Sequence, residues 1–154
     1  MPELPEVETT KKGIAPYVVG ETIRDIIIRE RQLRWPIPVT LKRLLKNQII
    51  RKLRRRAKYL LFYTDKGCII LHLGMSGNLR VLDSTIPHEK HDHVDIVFES
   101  GHLLRFRDPR KFGSLLWTKD DPLDHKLIHH LGPEPLGNDF NVEYLYAKSR
   151  KRTQ

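Results

Sequence analysis

The stretch Cys68-Ile69-Ile70-Leu71 is apolar at every position, as expected of a strand whose two faces are both covered. A chain containing such a strand must build layers on either side of it. From Gln48 to Thr118 the sequence reads mostly as β. Asp65-Lys66-Gly67 separates two apolar stretches, and Ser100-Gly101 separates two more. Val94, Ile96 and Phe98 alternate with Asp95 and Glu99, which predicts a polar face that only Val97 spoils. Ile23 to Ile28 is rich in β-branched residues and reads as a further strand. Short strands at this spacing predict a β-sandwich or barrel flanked by helices.

The helices are fewer. Pro5 suits the first turn of a helix running to about Ala15, with Glu6 and Glu8 at its positive end and Lys11 and Lys12 near its negative end. Gly13 weakens that helix, and Pro16 is expected to end it. Trp35-Pro36-Ile37-Pro38 is a break, after which Thr40 is placed to cap a short helix through Lys46. Beyond Thr118 the pattern loosens. Leu131 to Gly137 reads as a loop, Asp139 as the start of a last helix around Val142 to Lys148, and the basic tail to Gln154 as a linker.

A length of 154 residues suits one domain with a sizeable core, and 39% hydrophobic with 31% charged residues fits a soluble globular protein. No apolar run approaches the roughly 20 residues that span a bilayer, and the acidic N-terminus is no secretory signal. Cys68 is the only cysteine, which excludes an internal disulfide and a Cys-rich zinc site within this sequence. Cytoplasmic residence is the expectation. The net charge of +9 is concentrated: Arg24 to Lys58 holds 13 Lys and Arg against 2 acids, a local +11, leaving −2 elsewhere. Such a concentration is the footprint expected for a polyanion such as nucleic acid, although a solvated basic face would look the same.

The chemistry begins at Met1-Pro2-Glu3-Leu4-Pro5-Glu6-Val7-Glu8-Thr9. Removal of Met1 would expose a secondary amine beside carboxylates, and a secondary amine can attack a sugar carbon and become an iminium. A Met-Pro start means little alone. It is joined here by Arg55-Arg56-Ala57-Lys58-Tyr59-Leu60, Leu71-His72-Leu73-Gly74-Met75-Ser76-Gly77 and His91-Asp92-His93-Val94-Asp95. Further along come Asp108-Pro109-Arg110-Lys111-Phe112-Gly113 and Leu131-Gly132-Pro133-Glu134-Pro135-Leu136. With these segments in this order the sequence closely resembles the bacterial formamidopyrimidine-DNA glycosylases, over essentially its whole length. Leu4 favours that branch over the related endonuclease VIII group, which usually carries glycine there.

The resemblance implies a two-sheet antiparallel β-sandwich with flanking helices. It implies a catalytic domain over 1–135, with a terminal helix and the start of an interdomain linker over 136–154. The family's helix-two-turn-helix element and its zinc finger, where four cysteines hold one structural zinc, would lie outside this sequence. No cofactor is implied within it. The implied activity is bifunctional: a glycosylase and abasic-site lyase of base excision repair that removes oxidised purines such as 8-oxoguanine and formamidopyrimidines. The partner implied is damaged double-stranded DNA, met by a monomer in the bacterial cytoplasm at the nucleoid. Residues 1–154 alone are expected to be weakly active or inactive, and the alternative reading is a catalytically silent DNA-binding fragment.

The resemblance also assigns roles. Pro2 is the implied nucleophile, Glu3 the general acid–base group, and Glu6 a residue that orders the site or complements the helix dipole. Lys58 matches a lysine that contacts phosphate near the lesion; without the resemblance, a lysine beside Arg54, Arg55 and Arg56 would read as a solvated surface charge. Met75, Arg110 and Phe112 match a triad that probes the duplex and fills the space of an everted nucleotide. On pattern alone Met75 and Phe112 read as core residues, although Gly74, Gly77, Pro109 and Gly113 favour loops that would expose them. His72 and His91 match backbone contacts, and Arg152 is a further phosphate candidate. His91-Asp92-His93 and His129-His130 lack a strong metal-ligand spacing and read as surface or structural.

Overall fold

The structure, a computed structural model, describes residues 4–129. Helix α1 (Leu4–Val18) is followed by β1 (Ile23–Ile28), α2 (Leu41–Leu45), β2 (Lys52–Arg56), β3 (Tyr59–Tyr63) and β4 (Cys68–His72). Strands β5 (Asn78–Asp83), β6 (Asp92–Phe98), β7 (His102–Arg107) and β8 (Ser114–Thr118) come next, then a 3-10 turn at Pro122–Asp124 and α3 (Lys126–His129). The strands make two antiparallel four-stranded sheets, ordered β1-β6-β7-β5 and β2-β3-β4-β8. The fold is a two-sheet β-sandwich with flanking helices.

Strand β4 sits inside its sheet, and both of its faces are covered. Ile69 and Leu71 point into the main core with Leu60 and Phe62 of β3 and with Ile96, Phe98, Leu104 and Phe106 of the facing sheet. Cys68 and Ile70 point the other way, where Leu61 and Ile128 bury them with help from Tyr59, Tyr63, Leu116 and Leu123. Each isoleucine buried in this way contributes about 1.5–3 kcal/mol. Burial also pushes the Cys68 thiol well above its ordinary range, so it stays protonated.

Helix α1 turns Val7, Ile14 and Val18 inward. It lies against β2 and β5, the edge strands of the two sheets, and covers their open side. Pro16 does not end the helix as its sequence suggested; the helix continues to Val18, and the Val19 N–H donates to the Ala15 carbonyl at 3.0 Å. Full burial of Val18 offsets the missing proline donor. Glu8 accepts from Arg55 Nε at 2.5 Å and so ties α1 to β2. Arg55 and its neighbour Arg56 are both buried, not part of a solvated basic face. Thr40 occupies the N-cap of α2, but its backbone is helical and its side chain makes no cap hydrogen bond. That helix ends at Leu45, with Lys46 as its C-cap.

The polar face expected of β6 is absent, because every residue of the strand is buried. Asp95 pairs across the sheet with Arg105, whose Nε and Nη2 donate to the two carboxylate oxygens at 2.9 and 3.0 Å. Arg29 Nη2 adds a third donor at 2.7 Å. Arg105 also donates to the carbonyls of Ile86 and Pro87, both at 3.1 Å, which holds the β5–β6 connection over the sheet. Burial pushes the Asp95 carboxyl upward, but the bonds from Arg105 and Arg29 outweigh it and hold it below the ordinary carboxylate range. Because the folded value is depressed, the stabilisation exists above the unfolded value of about 3.9 and disappears as pH falls through the folded one. Asp95→Asn should take from the buried Arg105 guanidinium the carboxylate it is hydrogen-bonded to and cost about 3–5 kcal/mol in urea unfolding at pH 7. The gap between the variant and the parent should narrow as the pH is lowered below about 4.

Candidate nucleic-acid interface

Two chain segments cross between the sheets at one end of the sandwich. Residues 73–77 lead from β4 to β5, and residues 108–113 lead from β7 to β8. The β2–β3 turn carrying Lys58 reaches the same end, because Tyr59 pairs with His72 and His72 pairs with Ser114. The start of β6 is there too, since Asp92 pairs with Arg107. Lys58, His72, Met75, His91, Arg110 and Phe112, dispersed in sequence, are thus gathered at one rim.

The crossovers are locked to one another. Gly74 has φ +67°, and a Cβ there would lie 2.4 Å from the Gly113 nitrogen. A Cβ on Gly113 would lie 2.6 Å from the His72 carbonyl oxygen. Only paired glycines let these two backbones approach so closely. Asp108, 0% exposed, completes the lock: Oδ1 accepts from the Ser76 hydroxyl at 2.9 Å and Oδ2 from the Gly113 N–H at 2.8 Å. Ser76 Oγ in turn accepts from the Arg110 N–H at 3.1 Å. The Asp108 carbonyl takes a bond of 2.7 Å from His93 Nε2, and the Asp108 N–H donates to the His91 carbonyl at 3.0 Å. His93 and Asp92 are buried in such structural contacts. Among the described residues no group of three or more His, Cys, Asp or Glu side chains could hold a metal ion. Asp108→Asn replaces one acceptor oxygen with a donor, so either Ser76 or Gly113 loses its partner. The expected loss is about 1–3 kcal/mol in thermal or urea unfolding, with faster amide exchange at Gly113.

On this base Met75 and Phe112 stand out, each 42% exposed. They are not core residues, as pattern alone had suggested. The Arg110 guanidinium lies over the Phe112 ring, 5.2 Å from its centroid. Beside them opens a pocket of about 520 Å³ lined by Met75, Phe112, His72, Tyr59, Arg34 and Trp35. Arg34 and Trp35 were missed by sequence reasoning, which saw only a break at 35–38. Their signal was a cation next to an indole ahead of Pro36; the guanidinium lies 5.7 Å from the Trp35 ring, and the Arg34 N–H donates to the Gly113 carbonyl at 3.0 Å.

Ala57, at φ +52°, closes the turn that carries Lys58. His72 packs edge-on against Tyr59 at 4.8 Å, and its Nδ1 accepts the Gly74 N–H at 2.9 Å. A nitrogen that accepts carries no proton, so the neutral ring bears its hydrogen on Nε2. Burial, then the charges of Lys58 and Arg34, push the His72 pKa below its ordinary value, with Asp108 opposing them. His91 is lowered too, by desolvation and then by the nearby charges of Lys90, Arg107 and Lys111. Since Lys58 depresses His72, Lys58→Gln should raise the His72 pKa measured by imidazole NMR titration. The other histidines should move less.

Glu6 is exposed in the first turn of α1, and Glu8, one turn from Leu4, makes the contact between elements. Pro2, Glu3 and Arg152 lie outside the described residues, as do the expected loop at 131–137, the helix at 142–148 and His130. No helix among the described residues is long and apolar enough to cross a membrane.

Fold and rim together define a two-sheet β-sandwich whose one end is a rigid basic and aromatic platform. The family model of the formamidopyrimidine-DNA glycosylase N-terminal domain matches residues 1–115. Formamidopyrimidine-DNA glycosylase of Photobacterium profundum is 57% identical over 154 residues, covering 99% of this chain and 56% of the relative. That of Idiomarina loihiensis is 50% identical, covering 100% and 57%. Among solved structures, the Lactococcus lactis enzyme bound non-covalently to DNA containing an AP site has a TM-score of 0.79 at 33% identity. The match covers 96% of this chain and 56% of that one. MutM in complex with DNA containing carbocyclic 8-oxo-G also gives 0.79, at 36% identity, over 97% and 57% of the two chains. This chain belongs to the formamidopyrimidine-DNA glycosylase family, and it spans just over half the length of the curated relatives it matches.

Proposed function

We propose that this chain supplies the covalent half of a bifunctional DNA glycosylase and abasic-site lyase that removes oxidised purines, 8-oxoguanine and formamidopyrimidines, from duplex DNA in base excision repair. The carrying observation is the presentation of Met75, Arg110 and Phe112 on two crossovers locked by Asp108, beside Lys58. A wedge that unstacks a base pair must not itself yield, so its backbone has to be rigid while its side chains are exposed. Met75 is a flexible apolar plug for the vacated space, Arg110 a donor to the orphaned base, and Phe112 a wedge at the base step. Lys58 and His72 hold phosphates of the everted nucleotide, and His91 and Arg152 are further contacts to the DNA backbone.

The covalent step belongs to Pro2 once Met1 has been removed. An α-amino group titrates at about 7.7–8.0, so a useful fraction is unprotonated at neutral pH. Its lone pair forms a bond to C1′, and the electrons of the glycosidic bond leave with the base. Glu3 carries the amine proton to O4′ as the sugar ring opens, leaving an iminium. The cation acidifies C2′, whose proton is lost as the 3′ phosphate leaves. A second elimination expels the 5′ phosphate, and water releases Pro2. Glu6 places negative charge near this cation. The protein works as a monomer in the cytoplasm and needs no cofactor within residues 1–154. The family's structural zinc would sit in the four-cysteine finger outside this sequence.

The test is borohydride trapping on duplex DNA with an abasic site, using protein whose mass shows the loss of Met1. A weak cross-linked band is expected of residues 1–154, and Pro2→Gly should reduce it at least about tenfold, one decade being worth about 1.4 kcal/mol. DNA binding without a trapped band would leave the catalytically silent fragment as the correct reading.

A further inference from the structure

The rim has a second cationic flank that the proposed chemistry does not use. Lys58, His72 and Arg34 lie on the side of the β2-β3-β4-β8 sheet. On the side of the other sheet, Arg80 of β5 and Arg107 of β7 share one face, since Arg80 pairs with Arg105 and Arg107 lies two residues further along. Both are open to solvent, their side chains 44% and 32% exposed. Arg80 lies two residues into β5, directly after the Met75 crossover, and Arg107 immediately precedes Asp108.

The group between them is Asp92, fully buried. Its Oδ2 accepts the Glu89 N–H at 2.7 Å, but its Oδ1 has no hydrogen-bond partner. That oxygen lies 3.6 Å from Arg80 Nη2 and 3.7 Å from Arg107 Nη1, within ionic attraction but beyond a proper hydrogen bond. The buried carboxylate therefore draws both guanidinium groups to one place without using up their N–H donors. Arg105, the third cation near Asp92, is already committed to Asp95 and two carbonyls. Lys90 lies nearby as well, close enough with Arg107 to act on His91.

Resting on the DNA-binding reading above, we infer that Arg80 and Arg107 grip the phosphate backbone of the undamaged strand. The wedge residues stand between the two flanks. A side chain entering the minor groove has one strand on either side of it, across a groove about 6 Å wide. Packed sheets lie about 10 Å apart, so the rim of each sheet meets a different strand. Lys58 and His72, at the rim of the β2-β3-β4-β8 sheet, take the lesion strand, which leaves the undamaged strand to Arg80 and Arg107. Their planar forks suit phosphate oxygens, and the contact is indifferent to sequence.

The test measures affinity against salt for the whole chain and a short duplex carrying a tetrahydrofuran abasic analogue. Arg80→Gln should lower the slope of log K against log salt by about 0.9, and Arg80→Gln with Arg107→Gln by about 1.8. Neutral methylphosphonates in the undamaged strand should erase the difference between parent and variants, whereas the same substitution in the lesion strand should preserve it. Unchanged slopes would overturn the inference, as would a difference erased by lesion-strand methylphosphonates. A parent protein with no salt-dependent duplex binding would sink the DNA-binding reading itself, a separate failure. Arg80→Gln alters an exposed residue, so it carries the test even if the double variant melts early.

Discussion

The buried carboxylate of Asp108 is the constraint on which the functional end of this molecule depends. With one side chain it binds the Ser76 hydroxyl of one crossover and the Gly113 amide of the other. Its own backbone reaches His91 and His93. A buried carboxylate is tolerable only when its oxygens are satisfied, so the two loops cannot drift apart without exposing an expensive anion. The close contact of Gly74 with Gly113 depends on the same arrangement. Rigidity in the backbone is what permits Met75 and Phe112 to stay exposed rather than collapse onto the core.

The sandwich supplies the platform for that lock. Because consecutive strands β4 and β5, and again β7 and β8, lie in different sheets, their connections must cross the same end. Helix α1 closes the side formed by edge strands β2 and β5, and the crossovers at this end carry the polar and charged groups. Two cationic flanks on two sheets follow from the topology, with the wedge residues between them. In the proposed function, the spacing between sheets becomes the spacing between DNA strands.

Much of the fold was legible. The uniformly apolar run at Cys68 to Leu71 implied two covered faces, and β4 has them; β1 occupies Ile23–Ile28 as its β-branched residues suggested. The turns at Asp65-Lys66-Gly67 and Ser100-Gly101 separate β3 from β4 and β6 from β7. Local patterns misled where a distant partner changed the energetics. Asp95 looked like a solvent-facing residue until Arg105 and Arg29 surrounded it, and within the basic region Arg24 to Lys58, where a solvated face was the plainer reading, Glu8 reaches the buried Arg55. Pro16 looked like a terminator, but the burial of Val18 carries the helix past it. Arg34 and Trp35 sat in a stretch without periodicity, and nothing local indicated that their backbone would join Gly113.

The sequence by itself determined the β-rich class, the positions of the turns, the concentration of positive charge and the family. These follow from side-chain periodicity, turn chemistry and ordered motifs, all of which act over a few residues. The tertiary structure alone decided which charges are held in pairs and which remain available, since that depends on partners up to 81 residues away. It also decided that Met75 and Phe112 are exposed and held together, because only packing brings Gly74 against Gly113 and Asp108 beneath both.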